Sequence, residues 1–91
     1  MTKLTEIFQS KAQVKLLEYM LENHGKVFNQ STLANYLNLS PSTIAQVVAP
    51  LIREKILLYE RFEQGMKILC LNEDEEKTKL LLTFYEKLNK I

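Results

Sequence analysis

Few side chains in this sequence could carry out bond chemistry. It holds one cysteine, Cys70, and one histidine, His24. They do not form a nucleophile–base pair at a recognisable spacing. The run Glu73-Asp74-Glu75-Glu76 follows Asn72. Acids in that position suit the first turn of a capped helix, where they meet the positive end of its dipole. That accounts for them better than a paired-carboxylate cleft does. There is no glycine-rich phosphate loop. A structural zinc site normally takes four Cys/His ligands, so no metal and no cofactor is expected, and the chain does not read as an enzyme. Cys70 reads as a small buried hydrophobe. A lone cysteine also fits a reducing, cytoplasmic compartment.

What remains is a set of side chains suited to recognition. Successive helix residues advance about 100°. With Ile44 pointing inward, the opposite side of its helix carries Ser42, Gln46, Ala49 and Arg53, flanked by Thr43, Ala45 and Pro50. A glutamine at such a place can bond an adenine edge, small apolar groups can meet a thymine methyl, and hydroxyls can touch phosphates. Arg61, Gln64 and Lys67 surround Gly65, and Gln30 and Ser31 follow Asn29, with Lys26 nearby. Backbone N–H groups at a helix start can hold a phosphate.

The elements that must position these residues are legible from capping and periodicity. Ser10-Lys11-Ala12-Gln13 is a capping-box pattern, followed by Val14, Leu17 and Leu21 at helical spacing and a stop at His24-Gly25. Leu4, Ile7 and Phe8 mark a short helical turn before it. Lys26-Val27-Phe28 allows a strand stub. Asn29 then caps a helix running to Leu37, with Leu33, Ala34 and Leu37 inward. Asn38-Leu39 makes a tight turn. Ser40 caps the next helix with Pro41 at its first position, where no N–H is needed, and the pattern carries it to about Lys55. Pro50 lies inside that helix and predicts a kink. Ile56–Phe62 and Met66–Leu71 are strand-like, with a glycine-containing connector, and predict a hairpin. Asn72 reads as the cap of a last helix with Leu81, Phe84, Tyr85, Leu88 and Ile91 along one stripe.

Two helices joined by a short turn and followed by a hairpin form the winged helix-turn-helix plan. From Ile7 to Leu88 the chain resembles the small ArsR-like and MarR-like winged helix regulators, especially the archaeal type. The resemblance rests on Ser10-Lys11-Ala12-Gln13, on Leu33-Ala34-Asn35-Tyr36-Leu37-Asn38-Leu39-Ser40, on Ser42-Thr43-Ile44 and on Leu71-Asn72. It implies a fold that is mainly α with a small β-hairpin wing, in one domain over residues 1–91. It further implies double-stranded DNA as partner, touched by Gln30, Ser31, Ser42, Thr43, Ala45, Gln46, Ala49, Arg53, Arg61, Gln64 and Lys67, and a role in transcription regulation. The chain departs from the family pattern in three ways. Lys55 stands where a glycine is usual, Pro50 interrupts the recognition helix, and the outward face is nearly neutral. The Cys-x-Cys pair of metal-sensing relatives is missing. The alternative is a protein–protein module built on the same fold.

Bulk properties neither favour nor exclude nucleic acid. The chain has 91 residues, 46% hydrophobic and 25% charged, with a net charge of +1. No basic, apolar leader stands at the N-terminus, and no apolar run approaches the roughly 20 residues that span a membrane. Both faces of the second wing strand are apolar, with Met66, Ile68 and Cys70 on one and Leu69 and Leu71 on the other. A sheet covered on one side should alternate apolar and polar residues. The C-terminal helix is therefore expected to cover the second face. The surplus apolar surface of that helix and of the N-terminal segment predicts a homodimer through Ile7, Phe8, Leu81, Phe84, Tyr85 and Leu88, the alternative being that the two termini pack on each other within one chain.

Overall fold

The computed structural model describes residues 11–91, and the elements run α1 (Lys11–Glu22), β1 (Val27–Asn29), α2 (Gln30–Leu37), α3 (Pro41–Arg53), β2 (Leu57–Arg61), β3 (Lys67–Leu71), α4 (Glu76–Asn89). The fold is mainly α with a small β wing, in the winged helix-turn-helix order. Expectations for Leu4, Ile7, Phe8 and the Ser10 cap lie outside the described residues.

The caps form as the residue types require. Asn29 is extended, and its Oδ1 accepts the Ser31 N–H at 2.9 Å. α2 ends where Asn38 turns left-handed at φ 56°, a conformation asparagine tolerates better than most residues. Ser40 Oγ accepts the Thr43 N–H at 3.1 Å, with Pro41 opening α3. Ile44, Val48 and Leu51 of α3 are buried against α1 and α2. α3 runs through Pro50 as one continuous helix, although Pro50 has no N–H to offer the Gln46 carbonyl. The helix ends at Arg53, and Lys55 stands just beyond it at φ 63°, where the family pattern has glycine.

The strand stub becomes a true sheet member. The order is β1-β3-β2, all antiparallel, with Val27 opposite Cys70 and Leu58 opposite Cys70 on the other side. The inner face presents Leu57, Leu69 and Leu71 to the core with Leu16, Met20, Leu21 and Leu33. The outer face carries Val27, Leu58, Ile68 and Cys70. The register continues it toward Phe62 and Met66, which are joined by the Phe62 N–H to Met66 carbonyl bond at 2.8 Å.

Two expectations fail at the C-terminal helix. α4 begins at Glu76 with Glu75 at its cap and no side-chain cap bond. Asn72 is drawn away instead, because its Nδ2 donates to the Lys55 carbonyl at 2.9 Å. Nor does α4 cover the outer face of the sheet. It packs on α1, leaving Val27 65% exposed and Leu58, Phe62 and Met66 about half exposed. Where α4 meets α1, Thr78 and Tyr85 are buried, and the Tyr85 hydroxyl donates to Glu22 Oε1. Tyr85 is thus only 6% exposed within its own chain, which removes it from the residues available to a second chain. Its stripe-mates Leu81 and Leu88 also pack in part against this core, while Phe84 and Leu80 face outward.

Candidate nucleic-acid interface

α3 turns Ser42, Ala45, Gln46 and Arg53 to solvent, with Thr43, Ala49 and Pro50 at the margins of that face. This follows from burial of Ile44, Val48 and Leu51 at helical spacing on the other side. The N-terminal hydroxyls of the helix are already engaged. Ser40 Oγ donates to Thr43 Oγ1 at 2.8 Å and lies 3.2 Å from Ser42 Oγ. Thr43 is therefore part of the cap that fixes the helix start. Gln46 stands one turn further on, exposed, with an amide that can both donate and accept.

The wing returns to this same side. An open cleft of about 290 Å³ lies between α2, α3 and the wing, with Ser31, Asn35, Ala45, Gly65 and Lys67 among its walls. A smaller hollow of about 170 Å³ adjoins it, lined by Ala45, Ala49, Ile52, Tyr59 and Lys67. Lys67 and Gln30 line both. Arg61 and Lys67 are direct partners across the β2–β3 ladder. Like charges placed opposite one another in a sheet destabilise it by roughly 0.2–1 kcal/mol. Among the described residues no ion pair engages Arg61, Lys67, Arg53 or Lys26. The acids that are paired gather around the start of α4 and the end of α3. There His24 meets Glu73 at 3.1 Å and Lys77 meets Glu54 at 3.0 Å. The bond to Glu54 raises the Lys77 ammonium above the usual lysine range.

The structure brings Ser31, Ser42, Ala45, Gln46, Ala49 and Lys67 to one side of the molecule, with Arg53 at the far end of α3 and Arg61 beside Lys67. Gln64 lies exposed in the wing turn with Gly65, which takes φ 81°. Gln30 is the exception. It begins α2, but at 8% exposure its side chain is buried and serves as the cleft floor, not an outward contact. Two residues were missed by sequence reasoning. Asn35 follows Ser31 by one helical turn and so shares its side of α2, and Tyr59 shares a face of β2 with Leu57 and Arg61. Both were legible from periodicity once the cleft was known to exist.

Among the described residues no group of three or more His, Cys, Asp or Glu is arranged to hold a metal ion, and no helix is long and apolar enough to cross a membrane.

No family model matches the chain, and no curated protein matches it. Solved structures do. The PcaV transcriptional regulator of Streptomyces coelicolor, solved with its natural ligand, superposes with a TM-score of 0.63 at 25% identity, over 87% of this chain and 56% of that one. A possible transcriptional regulator from Methanosarcina mazei Go1 gives 0.62 at 18% identity, over 89% of this chain and 74% of that one. The MepR–DNA complex from S. aureus gives 0.65 at 18% identity, over 96% and 73%. The last two likenesses concern the fold. This chain spans little more than half the length of PcaV. The neighbours named are transcriptional regulators, one of them a possible one, of winged-helix fold, which is also the fold found here.

Proposed function

We propose that this winged helix-turn-helix chain binds double-stranded DNA and regulates transcription in the cytoplasm as a homodimer. α3 enters the major groove, and the α2 start and the wing flank it. The observation that carries the reading is the Arg61–Lys67 pair. Two cations face each other across a ladder with no acid paired to either, and one of them, Lys67, lines the cleft beside α3. An arrangement that costs fold stability is accounted for by an anion that sits against both, and a phosphate strand running past α3 is such an anion. The neighbour solved with DNA supports the same reading.

Gel shifts of the full chain on random-sequence duplex at two salt concentrations test it. Log affinity is expected to fall linearly with log salt. Lys67→Ala and Arg61→Thr should each weaken all duplexes alike and lower the salt slope by about 1. Arg61→Thr should at the same time leave the fold as stable or slightly more so, because the like-charge contact is gone. Gln46→Ala should relax discrimination at one adenine position by about 1–3 kcal/mol. No duplex binding at low salt removes the reading.

A second reading, a protein–protein module, is favoured by one observation, the apolar outer face of the sheet with Val27, Leu58, Phe62 and Met66 in solvent. Association through that face would be insensitive to salt, which separates it from phosphate binding.

The homodimer is supported by α4. With Tyr85 taken into the core and Leu81 and Leu88 partly so, Phe84 and Leu80 remain on its outward side. A two-fold pair joined at the terminal helices could place two α3 helices about 34 Å apart, one turn of DNA.

A further inference from the structure

The turn that ends α3 is held from outside by the end of β3 and by the start of α4. Lys55 stands left-handed at φ 63°. Its carbonyl accepts the Asn72 side-chain amide at 2.9 Å, and the next carbonyl, that of Ile56, accepts the Asn72 backbone N–H at 2.8 Å. One residue thereby clamps two successive peptides of the turn. Five residues on, Lys77 in the first turn of α4 reaches back to Glu54, its Nζ 3.0 Å from Oε1 and 3.5 Å from the backbone carbonyl. Glu54 is the C-cap of α3, so a cation rests at the negative end of that helix. The end of α1 is tied to the same segment through His24 and Glu73.

Helix termination does not need these bonds. α3 closes itself, with the Lys55 N–H on the Ile52 carbonyl at 3.0 Å and the Ile56 N–H on the Leu51 carbonyl at 2.9 Å. An exposed ion pair such as Lys77–Glu54 also adds little to stability. What the contacts do fix is direction. A helix is stiff, so holding its end to the end of β3 through Asn72 and to the first turn of α4 through Lys77 sets the line along which its outward residues point.

We propose that Asn72 and Lys77 are positioning residues for α3, fastening its C-terminal end to the end of β3 and to the first turn of α4 so that the angle at which Gln46 and its neighbours meet DNA follows the placement of these two elements. This rests on the DNA-binding reading above. Neither residue touches DNA. They act through Lys55 and Glu54, and a subunit docked on α4 would thereby be felt at α3.

The experiment uses the full chain with Asn72→Ala and Lys77→Met, singly and together, each also in a Lys55→Gly background. Glycine accepts the left-handed turn without strain, so it compensates for lost turn stability without returning the Asn72 amide. Two probes are compared: a duplex enriched by the wild-type chain from a random pool, and a random duplex of equal length. The triple variant is expected to melt within a few degrees of wild type and to keep its affinity for the random duplex. Its preference for the enriched duplex should fall about tenfold. Lys77→Met alone, at an exposed site that does not threaten folding, should lower the preference about threefold, and Lys77→Arg should restore it. Undiminished preference in the triple variant overturns the proposal, as does an equal loss on both probes. A wild-type chain that binds every duplex alike also overturns it. A wild-type chain that binds no duplex at low salt defeats the DNA reading first, and is told apart by failure on both probes before any substitution.

Discussion

Tyr85 shows how one hydroxyl can make a helix contact depend on pH. Burial, and then the bond to Glu22, push its ionisation well above the usual tyrosine value of 10.0. In the unfolded chain it ionises near that ordinary value. Above it, the unfolded state gives up a proton that the folded state keeps, so folding stability is full below about pH 10 and declines as pH rises further. Urea unfolding at pH 8 and near pH 11 should show a larger loss for wild type than for Tyr85→Phe, and equal losses would contradict it. The residue also shows a limit of periodicity. Phe84 and Tyr85 are consecutive, about 100° apart around the helix, and both read as interface. The packing of α4 on α1 buries Tyr85 in its own core, with its hydroxyl on Glu22, while Phe84 stays outside. Gln30 teaches the same lesson. Its place at a helix start is visible in the sequence, but the inward turn of its side chain depends on where the wing lies.

At the level of elements, the helix boundaries set by local chemistry were legible. Asn29, Asn38 and Ser40 each act through a backbone group within a few residues, and the sequence contains all that is needed. The start of α4 was not legible. Asn72 followed by acids has the look of a cap, but its amide finds the Lys55 carbonyl, 17 residues earlier in the chain, and the helix starts only at Glu76. β1 was visible as a stub, whereas its pairing with β3 joins segments some 40 residues apart by register. Lys55 itself was anticipated as a lysine in a place suited to glycine, and φ 63° bears that out. Lys55→Gly should therefore stabilise the chain by up to about 1 kcal/mol. A few degrees' rise in melting temperature checks this, and a fall would mean that the lysine side chain is doing something the backbone angle does not reveal.

For the whole molecule, the distribution of apolar surface determines its company. α4 leaves Phe84 and Leu80 outward, and a chain this small gains much by covering them. Sedimentation at micromolar concentration should give a dimer mass. Phe84→Asp should shift it toward monomer without unfolding the chain, since Phe84 lies outside the core cluster, and a clean monomer for the unaltered protein would end the proposal. A dimer formed through α4 would leave the outer sheet face with Val27, Leu58, Phe62 and Met66 open. An environment-sensitive dye such as ANS takes a patch of this kind for the interior of a loosened protein. The native chain should therefore fluoresce with ANS before any heating, and Leu58→Thr with Phe62→Thr should quench that signal while circular dichroism stays unchanged. A melting curve followed by such a dye would start bright and report this surface as much as the unfolding, so the order of the folded state has to be judged by its near-ultraviolet dichroism from the tyrosines.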